Sequence, residues 1–224
     1  MRGLYIIVEG QTEEEFVNEV LRPYLYKFGI IDIRAIKIQT SPGFKGGDVS
    51  YQRFKLNIKK LLAREQDIIV TSLIDYYKLN SDFPSYKDHL VINNKLEKIT
   101  FLEDKILEDI NHQRFIPYIQ LHEFESLLFS DIAGFNYIPN ISAPSRILLN
   151  KAINLHPNPE LLNDGEETAP SKRLKKLIPS YQKTFHGPII ASEISIEIMR
   201  NRCIRFNCWL ELLIKSFSKK NFII

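Results

Sequence analysis

Over the first 130 positions, short unbroken apolar runs alternate with longer stretches of helical period. Leu4-Tyr5-Ile6-Ile7-Val8 is such a run, rich in β-branched residues, as a buried strand requires. Glu9-Gly10-Gln11 turns the chain, and Thr12 with Glu15 three residues on has the pattern of a capping box. Phe16, Val20, Leu21, Tyr24 and Leu25 then recur at helical spacing until Gly29. A strand over Ile33 to Ile38 follows. The segment Thr40 to Asp48 reads as a loop by its glycines and proline, and Phe54, Ile58, Leu61 and Leu62 predict a helix over Tyr51 to Glu65. Asp67 to Ile74 is a second unbroken strand run, and it delivers Asp75 at its end.

A polar excursion occupies 76–94. Leu96, Ile99, Leu102, Ile106, Leu107 and Ile110 then predict a helix over 95–111. Phe115 to Leu121 predicts a fourth strand, which Pro117 assigns to an edge or to a strand start. His122-Glu123-Phe124-Glu125 opens a helix running to about Phe129. Strand alternating with helix four times implies an α/β fold, a mostly parallel four-stranded sheet with helices on both faces. Past residue 131 the pattern changes to Pro-rich segments and helices without clear strands. A boundary there divides the chain into a domain over 1–131 and a helical extension over 132–224 packed on it.

Composition narrows the class. A hydrophobic fraction of 44% and a charged fraction of 25% are those of an ordinary globular protein. Cys203 and Cys208 are too few for a disulfide framework or a four-ligand zinc site, and they read as reduced thiols of a cytoplasmic protein. The run Leu4 to Val8 is far too short for a signal peptide or a membrane span, so no membrane partner is expected. The net charge of +3 hides an asymmetry: residues 1–130 carry 17 Lys/Arg against 19 Asp/Glu, and residues 131–224 carry 13 against 8. That division suits a protein holding a cation in one region and an anion in the other.

Parallel α/β sheets place their chemistry at the C-terminal ends of the strands. Glu9 follows the first strand, Asp75 the third, and Glu123 and Glu125 the fourth. Like charges at one rim repel unless a cation neutralises them. Mg²⁺ prefers such oxygen ligands together with a substrate phosphate, which points to metal-assisted phosphoryl transfer, with one ion or two. Glu13 joins these as a candidate ligand on the turn facing Glu9, whereas Glu14 and Glu15 read as solvated or capping residues favoured by the helix dipole. Glu123 and Glu125 stand two apart, so one of them faces the crevice, and Leu128 and Phe129 favour Glu125. His122 reads equally as a general base or phosphate contact and as a turn residue satisfied by backbone.

Val8-Glu9-Gly10-Gln11-Thr12-Glu13 resembles the first motif of Toprim domains, in which a strand ends in Glu-Gly. Asp75-Tyr76-Tyr77, the string His122-Glu123-Phe124-Glu125-Ser126-Leu127-Leu128-Phe129-Ser130-Asp131 and Ala169-Pro170-Ser171-Lys172-Arg173-Leu174 resemble the bacterial family known as domain of unknown function 4276. That family is regarded as Toprim-like and related to the nuclease part of OLD-family proteins. The resemblance implies a metal-dependent nuclease using Mg²⁺ or Mn²⁺ on DNA or RNA, and a partner ATPase of the ABC/AAA type in phage defence or DNA processing. It implies Glu9 as ligand or acid/base, and Asp75 as the first aspartate of an Asp-x-Asp motif. Tyr77 replaces the second aspartate, so a further carboxylate, Glu123 or Glu125, must complete the site.

Lys172, Arg173, Lys175 and Lys176 follow a helix start at Ser171 and form the candidate contact to the nucleic-acid backbone, a solvated basic helix being the alternative. No Walker pattern follows Gly46-Gly47. Two rivals remain open: a non-catalytic Toprim-like binding module, which Tyr77 supports, and a small-molecule phosphotransferase or phosphatase.

Overall fold

The computed structural model describes residues 2–41, 44–45, 49–77, 79–163 and 165–218. Its centre is a sheet of β1 (Gly3–Val8), β2 (Ile33–Lys37), β5 (Ile68–Asp75), β6 (Phe115–Ile116) and β7 (Ile119–Gln120). The strand order is β2-β1-β5-β6, β7 also pairs with β5, and all these pairings are parallel. A separate antiparallel pair, β3 (Gln39–Ser41) and β4 (Phe44–Lys45), occupies part of the segment expected to be a loop; the rest of Pro42 to Asp48 lies outside the described residues.

β1 and β5 are buried along their whole length, and this explains their unbroken apolar runs. The pleat sends Leu4, Ile6 and Val8 to one face and Tyr5 and Ile7 to the other. On the second face lie α3 (Tyr51–Arg64), through Phe54 and Ile58, and α5 (Lys95–Ile110), through Ile99, Leu102 and Ile106. The short helix α4 (Tyr86–His89) lies in the polar excursion. On the first face sits a continuous helical stretch formed by α1 (Gln11–Phe16), a π turn over Val17–Leu21 and α2 (Arg22–Tyr26).

The helices past residue 131 join that first face. They are α6 (Ala143–Leu155), α7 (Pro170–Leu177), α8 (Lys183–Ile194), α9 (Ile196–Arg202) and α10 (Ile204–Ser218). Ile190, Ile194, Phe206 and Trp209 share one apolar cluster with Leu4 and Ile6. Trp209 also donates its indole N–H to Thr71 Oγ1 at 2.8 Å and stacks on Tyr118 at 4.5 Å, tying α10 to the central strand. The result is the α/β arrangement expected, a parallel sheet with helices on both faces followed by a helical region. Among the described residues no helix is long and apolar enough to cross a membrane.

Three local expectations need correction. The fourth strand is two pieces, because Pro117 has no N–H for the ladder. Ser72 bridges the gap: its hydroxyl donates to Tyr118 O and accepts from Tyr118 N, each at 2.9 Å. The helix expected from His122 does not form as such. His122 takes a positive φ of 70°, and a fully buried 3₁₀ segment, Phe124–Ser130, follows, kinked at Phe129. Finally, the first helix starts earlier than the capping-box reading from Thr12. Gly10 is its N-cap, and Glu13, not Glu15, reaches back to it.

Candidate functional site

Parallel pairing fixes the rim. Val8 stands beside Leu73 in the ladder, so Glu9 and Asp75 leave β1 and β5 at the same C-terminal edge. Behind Glu9, the Gly10 N–H donates to Glu13 Oε2 at 3.0 Å. A Cβ at Gly10 would approach that oxygen to 3.1 Å, so a larger residue there would push the carboxylate back by a few tenths of an ångström. Asp75 Oδ1 accepts from the Phe124 N–H at 2.8 Å, which fixes the start of the 3₁₀ segment and swings Glu125 inward. Glu125 has no solvent exposure, and neither of its oxygens makes a well-formed hydrogen bond among the described residues.

Into this group comes Lys183, the first residue of α8. Its Nζ stands 3.3 Å from Glu125 Oε2, 3.6 Å from Glu13 Oε1 and 3.7 Å from Asp75 Oδ2. These distances exceed those of a close charge-assisted hydrogen bond, so the ammonium acts as a shared central charge, not as one carboxylate's partner. Its side chain keeps 35% exposure, leaving the site open to solvent along it.

The electrostatics follow from burial and crowding. Burial raises the Asp75 pKa well above the usual carboxylate range; Lys183 opposes the rise, and the charges of Glu13, Glu9 and Glu125 add to it. Burial likewise pushes Glu125 up to about 7, with Lys183 opposing and Glu123 and Glu13 contributing. For Lys183 burial works against the charge, but Asp75, Glu125, Glu13 and Glu123 more than offset it, so its pKa is raised. Burial also raises the Tyr181 hydroxyl, with Glu125 adding to the effect. One lysine therefore stands among more carboxyl groups than it can neutralise.

The candidate residues do not all meet here. Glu13, Asp75 and Glu125 do, with Glu9 half-buried at the same rim and its charge felt at Asp75. Glu123 turns aside: its Oε2 and Oε1 accept from Ser171 N–H and Ser171 Oγ, each at 2.9 Å, and so pin the start of α7. His122 is buried with Nδ1 3.4 Å from the Asn163 amide, and its carbonyl accepts from Tyr77 N at 2.7 Å. The N-terminal turn of α7 is thus engaged by a carboxylate. Lys172 pairs with Glu167 at 3.1 Å, Arg173 is half-buried, and Lys175 and Lys176 are exposed.

Sequence reasoning missed Lys183 and Tyr181. The available signal was faint: a lysine in the first turn of a helix runs against the dipole, so its place there wants a reason.

The donor set fits a hard divalent cation: the ligands are carboxylate oxygens, both Glu125 oxygens are buried without a well-formed hydrogen bond among the described residues, and negative charge is in excess. Among the described residues no group of three or more His, Cys, Asp or Glu side chains is already spaced to hold a metal, and Lys183 stands between them.

Residues 8–214 match the family described as "Domain of unknown function (DUF4276)". Among solved structures, the C-terminal region of the Burkholderia pseudomallei OLD protein aligns over 97% of this chain and 98% of its own, at 18% identity and a TM-score of 0.51. At that identity the likeness establishes a shared fold. The C-terminal region of the Xanthomonas campestris pv. campestris OLD protein aligns over 97% of each chain at 15% identity, with a TM-score of 0.44. No curated protein matches the sequence.

Proposed function

The chain belongs to the DUF4276 family, and on that footing we propose that it is a Toprim-like, metal-dependent nuclease that cleaves phosphodiester bonds in DNA or RNA. One observation carries the reading: Glu13, Asp75 and Glu125 converge on Lys183 at the strand rim from which Glu9 also emerges. The resemblance to Toprim domains and the fold shared with an OLD C-terminal region support it.

Asp75, Glu125, Glu13 and Glu9 are the residues that would hold Mg²⁺ or Mn²⁺, which when bound supplies polarisation of a phosphoryl oxygen and activation of water. The chain's own groups do the rest. Lys183 keeps its proton and presents its exposed side to a non-bridging phosphate oxygen, adding charge where the transition state gains it. Glu125, fully buried beside Lys183, would complete the ligand set in place of the carboxylate that Tyr77 replaces. The Gly10 and Phe124 N–H groups hold Glu13 and Asp75 in place, so neither carboxylate needs to reorganise. The exposed Lys175 and Lys176 would meet the substrate backbone. A partner ATPase of the ABC/AAA type, acting in phage defence, would supply any nucleotide-driven step.

One observation favours a second reading. Tyr77 stands where an Asp-x-Asp motif has its second carboxylate, and its N–H is committed to His122 O. A non-catalytic binding module would result if Glu13 and Glu125 did not make up the loss. Incubating the protein with labelled DNA and RNA in Mg²⁺ or Mn²⁺ separates the two. Cleavage is expected, abolished by chelator and reduced by ~10² or more in Glu9→Gln. Undiminished cleavage by that variant would overturn the assignment.

A further inference from the structure

Each of the three carboxylates that meet Lys183 turns one oxygen to it. Glu13 accepts the Gly10 N–H on Oε2 and presents Oε1 to the ammonium; Asp75 accepts the Phe124 N–H on Oδ1 and presents Oδ2. Glu125, fully buried, adds Oε2. Oxygens from α1, β5 and the 3₁₀ segment thus face one point, and Nζ occupies it at 3.3–3.7 Å. Mg²⁺ takes its oxygens at about 2.0–2.1 Å, so these three cannot close on an ion while the ammonium stands between them. Charge repulsion alone would drive the two cations apart at that range.

The geometry points to an exchange: Lys183 is the resident cation of the carboxylate rim, and a divalent ion binds there only as the lysine side chain swings outward, where its ammonium meets the substrate phosphate. The inference rests on the metal-centre reading above and adds its regulation. The rim keeps a cation in either state, and the lysine that answers to phosphate is released by the ion. By reciprocity, a phosphate that draws Lys183 outward strengthens ion binding.

Two features confine the movement to the side chain. The Gln182 N–H donates to His186 Nδ1 and the Gln182 carbonyl accepts from the His186 N–H, each at 2.8 Å, so the backbone on either side of Lys183 is held. The side chain itself is 35% exposed and carries its charge on a flexible four-carbon stem, which gives the ammonium a path to solvent. Lys183 moves as a charged group, and no proton is transferred.

The test reads ion binding and the lysine itself, not turnover. In a Mn²⁺ titration without substrate, followed by electron paramagnetic resonance, Lys183→Met is expected to bind about tenfold or more tighter than wild type, since a unit charge so close opposes the ion by at least that factor. Lys183→Arg, which keeps the charge, should show no gain. In the wild type, trace labelling with acetic anhydride should modify Lys183 faster at saturating Mn²⁺, with the exposed Lys175 and Lys176 as unchanged references. That readout requires no variant to fold. Equal or weaker binding by Lys183→Met, or labelling of Lys183 that Mn²⁺ leaves unchanged or slows, would overturn the exchange. Tighter binding by Lys183→Met with no cleavage by the wild type would leave the exchange standing and sink the nuclease reading. Cleavage by the wild type with equal Mn²⁺ affinity in both proteins would do the reverse.

Discussion

Replacing Glu125 with glutamine is expected to stabilise the metal-free protein by roughly 3 kcal/mol near pH 8 while lowering its cleavage activity by ~10² or more. The first effect follows from burial. Glu125 has no solvent exposure, and its pKa in the folded chain is about 7, against about 4.5 for an ordinary glutamate. A carboxyl whose folded pKa is raised contributes its stability below the unfolded value and loses it as pH climbs through the folded one. For Glu125 that window runs from about pH 4.5 to about pH 7. Glutamine keeps the shape without the charge, so the two proteins should be equally stable at pH 4.5 and should diverge as pH rises through that window. Urea denaturation at several pH values reads the difference directly. Equal stability at all pH values would mean that the buried carboxyl is compensated by something other than Lys183. A variant more stable yet less active is the signature of a carboxylate kept for chemistry at the fold's expense.

Lys183→Met should act in the opposite direction. It removes the ammonium that stands 3.3–3.7 Å from Glu125, Glu13 and Asp75 and leaves these groups to repel one another. Losing one partner of a fully buried pair costs about 3–5 kcal/mol; the partial exposure of Lys183 brings the expected loss down to about 2 kcal/mol. The loss should be largest at alkaline pH, where the carboxyl groups are ionised, and should fade in acid as they take up protons. Divalent cations should reverse it. An ion that binds only the folded form adds about 2.7 kcal/mol at a hundred times its dissociation constant, enough to restore wild-type stability. Thermal unfolding with and without Mn²⁺ checks this. A variant as stable as wild type at high pH would show that Lys183 does not hold the carboxylates together.

Particular residues show what the sequence made legible. The buried runs Leu4 to Val8 and Asp67 to Ile74 sufficed to put Glu9 and Asp75 at one rim, because parallel strands of that composition lie side by side in register. The two-residue spacing of Glu123 and Glu125 predicts that they diverge, and in the structure Glu125 meets Lys183 while Glu123 meets Ser171. Lys183 left only the faint signal of a cation in a first helical turn. It reaches the rim only because α8 packs across α1 and the 3₁₀ segment, a tertiary placement that no local pattern encodes. The register of the first cap was hidden for a similar reason. Gly10 has no side chain to announce an N-cap, and Glu13 serves it from within the helix. The helix expected after His122 failed because that stretch is buried on every side, where helical period carries no information.

The direct test of the carboxylate rim is a Mn²⁺ titration of the metal-free protein, followed by the electron paramagnetic resonance of the free ion, with Asp75→Asn in parallel. Saturable uptake by the wild type, weakened at least ~10-fold in the variant, is the expected result. No uptake by the wild type, or the same uptake by both proteins, would contradict a metal centre built on Glu9, Glu13, Asp75 and Glu125.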